Sequence, residues 1–130
     1  MRPVAVAPTI YVVDDDPLIL AFLQAALAPQ GFLVEVFETG ERMLVQTRAR
    51  TPALFVVDVR LPTTDGIELV RTLRSIDASR ETPILMLTGE GRLDRIVMAM
   101  QAGASGYLMK PFAPEQLIAK IRDLLARPVP

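Results

Sequence analysis

Five side chains in this sequence have the types and spacing to do phosphorus chemistry together: Asp14, Asp15, Asp58, Thr88 and Lys110. Each stands at the end of a short apolar run, over residues 9–13, 53–57, 83–87 and 105–109. The run before Asp58 is wholly apolar and rich in β-branched residues, which reads as a strand buried on both faces. Asp58 taken alone has two readings, a cap on the following turn or a reactive carboxylate at the lip of a parallel strand. If all these runs are parallel strands, their C-terminal ends share one sheet edge, which then gathers three carboxylates, a hydroxyl and an ammonium. Clustered carboxylates repel one another and are pushed up in pKa unless a cation neutralises them. Mg²⁺ suits that role, with Mn²⁺ as the alternative ion, because it takes hard oxygen ligands, keeps waters and accepts phosphate oxygens. Asp15, Asp58 and a nearby backbone carbonyl would hold the ion, Lys110 would add a second positive charge and Thr88 a hydrogen bond to a phosphoryl oxygen. Asp58 would then be the nucleophile that forms an aspartyl phosphate.

Composition removes most other chemistries. The chain has 130 residues, no histidine, no cysteine and a net charge of −1. Without histidine there is no Ser-His or Cys-His catalysis, no imidazole metal ligand and no phosphohistidine on this chain. Without cysteine there is no disulfide framework or thiolate metal site, which agrees with a cytoplasmic location. The charge gives no overall positive field for nucleic acid. No apolar run approaches the ~20 residues needed to cross a bilayer. Residues 1–8 carry Arg2 and small apolar residues, but Pro3 and Pro8 cut the run, so this segment is expected to be a lead-in rather than a signal peptide. The length predicts one domain, over residues 9–126, with 127–130 as a tail or the start of a linker.

The elements that must position these groups follow in near-regular strand–helix units. The strands are expected at 9–13, 32–37, 53–58, 83–87 and 105–109. Helices are expected at 18–27, with Asp16 as cap and Pro17 in its first turn, at 39–48, from 65, at 93–102 and at 114–126. Asp65-Gly66-Ile67-Glu68 reads as a variant capping box, with Leu69, Val70, Leu73 and Ile76 as the apolar stripe behind it. Ala113 is a poor N-cap and should cost the last helix about 1 kcal/mol. Alternating strands and helices predict a parallel sheet covered on both faces, with right-handed crossovers.

Four segments carry a resemblance: Val12-Val13-Asp14-Asp15-Asp16-Pro17, residues 56–66 (Val-Val-Asp-Val-Arg-Leu-Pro-Thr-Thr-Asp-Gly), Leu87-Thr88-Gly89-Glu90, and Tyr107-Leu108-Met109-Lys110-Pro111-Phe112. In that order they resemble the receiver domains of bacterial two-component response regulators, over about residues 9–125, in the manner of the single-domain chemotaxis regulators. The resemblance implies a flavodoxin-like doubly wound α/β fold with five strands in the order 2-1-3-4-5 and five helices. It implies that Asp58 is the phosphoacceptor, Asp15 a direct Mg²⁺ ligand, Asp14 a ligand through water, and the Arg60 backbone carbonyl the last protein ligand. Thr88 becomes the switch hydroxyl, Tyr107 the switch aromatic, Lys110 the phosphate-binding lysine and Lys110-Pro111 a cis peptide. Arg60 and Glu90 are candidates for tuning dephosphorylation. The implied protein is not a metabolic enzyme but a switch that assists its own phosphorylation and dephosphorylation. Its partners would be a sensor histidine kinase or histidine phosphotransfer protein and an output partner, with homodimerisation as a family habit. The responding face would be the fourth helix, fifth strand and fifth helix, where Arg92, Arg95, Gln101, Lys120 and Arg122 could present polar groups.

Three other readings compete. A haloacid-dehalogenase-like phosphatase would use Asp14-x-Asp16, but Leu18 stands where its motif continues with Thr or Val. A nucleotide-binding module would use Gly89-Glu90-Gly91, but Asp94 interrupts that fingerprint, which belongs after a first strand. The receiver could also be the input half of a longer DNA-binding regulator. No helix-turn-helix or basic recognition segment lies within these residues, so direct nucleic-acid binding by this chain is not expected.

Overall fold

The computed structural model describes residues 7–61, 65–89 and 93–127. The elements run β1 (Thr9–Val13), α1 (Pro17–Leu27), β2 (Leu33–Phe37), α2 (Gly40–Ala49), β3 (Leu54–Asp58), α3 (Gly66–Ser75), β4 (Ile84–Thr88), α4 (Leu93–Ala102), β5 (Gly106–Met109) and α5 (Pro114–Ala126). All sheet pairings are parallel and the strand order is β2-β1-β3-β4-β5. The covered parallel sheet is what the alternating pattern predicts, and its order is the flavodoxin-like doubly wound one that the resemblance implies. Boundaries differ from the sequence reading by a residue or two, as element ends generally do.

The three central strands are buried except at Thr9, the first residue of β1, and alternation along them divides the core in two. Ile10, Val12, Leu54, Val56, Leu85 and Leu87 face Leu20, Leu23 and Leu27 of α1 and Leu117, Ile121 and Leu124 of α5. Tyr11, Val13, Phe55, Val57, Ile84 and Met86 face Met43 of α2, the α3 residues Ile67, Leu69, Val70 and Leu73, and Ala99 of α4. The helical residues recur at intervals of three and four, the spacing that puts them on one stripe. Each fully buried Leu or Ile contributes about 1.5–3 kcal/mol of transfer free energy.

Caps explain where the helices begin. The Asp16 side chain accepts from the Leu18 N–H at 2.9 Å, and Pro17 occupies the first turn, where its missing N–H is harmless. Thr39 Oγ1 accepts from Arg42 at 3.2 Å. Asp65 Oδ1 accepts from Ile67 at 2.8 Å, but Glu68 turns to Arg71 rather than back to the cap, so the expected box is not reciprocal. The weak cap at Ala113 keeps one half of a capping box: Gln116 Oε1 accepts from the Ala113 N–H at 2.7 Å, while the alanine side chain offers nothing to the first N–H groups of the helix.

One organising residue stands at the end of the sheet opposite the candidate site. Arg74, in the last turn of α3, donates Nε to the Gly103 carbonyl at 2.9 Å and its terminal nitrogens to Ser79 O at 3.0 Å, Thr82 O at 2.6 Å and Ser105 Oγ at 3.3 Å. Burial pulls its guanidinium pKa below the ordinary value. Gly103 has φ of 120° and a Cβ there would meet Arg74 Cγ at 2.8 Å, so both backbone and space require glycine.

Candidate functional site

The five strand-end groups do arrive on one edge, and the alternation of the sheet sorts them further. Asp58 shares the face of Leu54 and Val56, Asp14 continues that of Ile10 and Val12, and Lys110 that of Leu108, all on the α1/α5 side. Thr88 continues the face of Ile84 and Met86 and so belongs to the α3/α4 side. A cleft of about 430 Å³ opens where the first group converges, lined by Asp14, Asp15, Asp16, Ile19, Asp58, Arg60, Leu61 and Lys110. Thr88 lies beside this cleft rather than in its lining, and among the described residues its hydroxyl makes only a long 3.4 Å contact with the Gly89 carbonyl.

Within the cleft, carboxylate oxygens of Asp14, Asp15 and Asp58 lie within 4.8 Å of one another. Asp14 is 1% exposed and Asp58 7%, while Asp15 is open to solvent. Lys110 Nζ bridges the two buried acids, 3.4 Å from Asp14 Oδ2 and 3.6 Å from Asp58 Oδ2. Asp14 Oδ1 accepts from the Asp16 N–H at 2.9 Å and Asp58 Oδ1 from the Arg60 N–H at 3.1 Å. One ammonium does not compensate this cluster. Burial, with the charge of Asp58 adding to it, pushes the Asp14 carboxyl up to about 6 against the opposing pull of the Asp16 N–H and Lys110. Three hard oxygen donors converging from two strand ends, with acid charge left over, fit a divalent ion of the Mg²⁺ kind.

The raised Asp14 pKa has a thermodynamic sign. The unfolded chain ionises this group near 3.8 and the folded protein near 6, so the ionised group destabilises the metal-free fold above that window and not below it. Asp14→Asn should therefore be more stable than wild type at pH 7.5 in chelator, by about 1–3 kcal/mol, and melt at a higher temperature, with the difference vanishing toward pH 4. Thermal melts of both proteins across that range check it.

The backbone under Asp58 is held by a close approach. The Gly66 N–H donates to Val59 O at 3.1 Å, and a Cβ on Gly66 would overlap the Asp58 carbonyl oxygen and sit 2.8 Å from that of Val59. Gly66→Ala must displace the end of β3, and is expected to destabilise by about 1–3 kcal/mol and move Asp58 off the cluster. Denaturant titration and Mg²⁺ affinity of the variant would read the two effects.

Tyr107 is 41% exposed on β5. Register pairs Tyr107 with Met86 and Met109 with Thr88, so the ring and the Thr88 hydroxyl stand on the same sheet face. The Lys110–Pro111 peptide is cis. Arg60 is exposed at the cleft; Glu90 and Arg92 lie outside the described residues. Two side chains expected on the face of α4, β5 and α5 are turned elsewhere. Arg95 reaches Asp65 of α3 at 2.7 Å, and Arg122 reaches Gln30, after α1, at 3.0 Å. Helical spacing gives the position of a side chain around its own axis but not the partner that a neighbouring helix offers. An apolar groove of about 460 Å³ adjoins the cleft, between Ile19, Phe22, Gly89, Lys110, Pro111 and Phe112, and had no signal in the sequence because α1 and the β5–α5 connection build it jointly. Among the described residues no helix is long and apolar enough to cross a membrane.

Comparison with known proteins agrees with this geometry. Residues 10–122 match the response regulator receiver domain family. The chain is 38% identical over 118 residues to the DNA-binding response regulator MtrA of Mycolicibacterium smegmatis, covering 91% of this chain and 50% of that protein. It spans about half the length of the curated relatives it matches. Among solved structures, Vibrio cholerae chemotaxis protein CheY4 superposes with a TM-score of 0.87 at 30% identity, over 91% of this chain and 98% of that one. The BeF3-activated DrrB receiver domain gives 0.84 at 34% identity, over 93% and 99%.

Proposed function

Because this chain belongs to the response regulator receiver domain family, whose members are phosphorylation-activated switches of two-component systems, we propose that Asp58 is its phosphoacceptor and that a partner's phosphohistidine is the donor. The observation that carries this reading is the Lys110 ammonium bridging buried Asp58 and Asp14 beside a solvent-open acid. Asp15 and Asp58 would hold Mg²⁺, or Mn²⁺ in its place, with the Arg60 carbonyl and with Asp14 through water. The bound ion would offset negative charge on the transferring phosphoryl group. An Asp58 oxygen forms a bond to phosphorus as the donor's P–N bond breaks, and the bonding pair leaves with the imidazole. Lys110, already between Asp14 and Asp58, is placed to pair with a phosphoryl oxygen. The donor histidine lies outside these 130 residues, which contain none. The apolar groove beside Lys110 is continuous with the cleft through Ile19 and suits the donor protein's docking.

Thr88 starts on the other side of the sheet rim, so hydrogen bonding to a phosphoryl group on Asp58 requires it to move across the end of β4. Tyr107, on the same face, would follow into the space behind it, and the surface of α4, β5 and α5 would change for an output partner or a second copy of this chain. Arg60, exposed at the cleft, would tune access of water to the phosphoryl group, with Glu90 as its candidate partner. A cytoplasmic location follows from this role.

Incubating the wild-type protein with acetyl phosphate tests the assignment. One phosphoryl unit of mass should appear only with Mg²⁺ and map to Asp58, whereas a label on Asp14 would instead support a haloacid-dehalogenase-like phosphatase. A second reading, favoured by the half-length match to DNA-binding relatives, makes this domain the input half of such a regulator. The length of the natural gene product distinguishes the two outputs.

A further inference from the structure

Two arginines tie α4 to α3, one at each end of the helix. At the C-terminal end, Arg74 Nε holds the Gly103 carbonyl at 2.9 Å within the half-buried network described above. At the N-terminal end, Arg95 donates to Asp65 Oδ2 at 2.7 Å, with the two side chains 24% and 40% exposed. Arg95 sits in the first turn of α4, where a cation opposes the helix dipole, so its favourable partner is Asp65 on the neighbouring helix. Asp65 is in turn fixed as the α3 N-cap and is followed by Gly66, which presses on the Asp58 backbone. The upper tie therefore joins the start of α4 to the segment that carries the phosphoacceptor, across the junction where Thr88 ends β4. The lower tie reaches four acceptors on several segments, while the upper is a single, partly exposed ion pair.

We propose that the Asp65–Arg95 pair is a latch that holds the N-terminal end of α4 in its resting position, and that α4 pivots about its Arg74-anchored end when the latch opens. Its regulatory half rests on the reading of Asp58 as phosphoacceptor: drawing Thr88 toward a phosphoryl group pulls the start of α4 against this tie, so the pair favours the unphosphorylated state. The restraint on α4 does not depend on that reading.

Arg95→Gln removes the charge and keeps a polar side chain. Asp65→Asn also removes a charge, and asparagine caps a helix as well as aspartate does. In the full chain without metal, either change should speed exchange at the amides of residues 97–99, whose acceptors lie in the first turn of α4. The expected acceleration is about two- to fivefold, the range that partly exposed ion pairs support, with residues 101–104 unaffected. The double variant should exchange no faster than either single one. With Mg²⁺, beryllofluoride should bind each single variant about two- to fivefold more tightly than wild type. Unchanged exchange at 97–99, or faster exchange in Arg95→Gln alone, overturns the latch. Faster exchange with unchanged beryllofluoride affinity overturns its regulatory role. Failure of the wild type to bind beryllofluoride overturns the Asp58 reading and the regulatory half with it, while the exchange comparison still decides the restraint.

Discussion

Asp58→Asn will take up no phosphoryl group from acetyl phosphate or from a phosphohistidine donor, and without metal it will melt about 2–5 °C higher than wild type. The first outcome follows because an amide oxygen is too weak a nucleophile to replace the carboxylate. The second follows from the charge distribution of the cleft. Asp58 adds to the pressure that raises the Asp14 pKa, and Lys110 is shared between the two acids. Removing one negative charge leaves Lys110 with a single buried partner at 3.4 Å, which is closer to balance. The amide can still accept from the Arg60 N–H, so the local turn survives. Intact mass after phosphodonor treatment and thermal melts in chelator read the two effects separately. A lower melting temperature would mean that the Asp58–Lys110 pair outweighs the carboxylate repulsion.

Arg74→Ala is expected to be strongly destabilising for a change at a polar side chain that is not fully buried, by about 2–4 kcal/mol. It would strip donors from the carbonyls of Gly103, Ser79 and Thr82 and from Ser105 Oγ, and would leave Gly103 without the side chain packed on it. Set against a typical total of about 5–15 kcal/mol, that loss is a large share of the stability of the domain. Arg74→Lys should recover only part of it, since one ammonium cannot span acceptors that a planar fork reaches together. Urea midpoints with an unchanged slope would confirm a loss of stability rather than a change in the unfolded state.

Arg74 also shows where sequence reasoning ends. It occupies a polar position near the end of an amphipathic helix, and its acceptors include backbone carbonyls, which have no residue signature. The Arg95–Asp65 pair was hidden for a related reason: its partners belong to different helices and meet only after α3 and α4 pack. By contrast, Asp14, Asp15, Asp58, Thr88 and Lys110 were legible because strand ends are legible, and a parallel sheet sends every such end to one edge. The caps at Asp16 and Asp65 were visible for the same local reason. At Ala113 the cap rule gives the weakness but not the bond from its N–H to Gln116, because that half of the box depends on a residue three positions downstream.

The division of the core by the sheet has a consequence for traffic at the surface. The cleft and its apolar groove open on the α1/α5 side, whereas Thr88 and Tyr107 stand on the side of α3 and α4. If a donor docks in that groove, as proposed, it and a protein that reads α4 would meet different faces of the sheet, and their footprints would share only the part of the rim that α5 and the β5–α5 connection build. Each footprint can diverge while the rim between them stays the same, so an existing input can acquire a new listener without its chemistry being rebuilt.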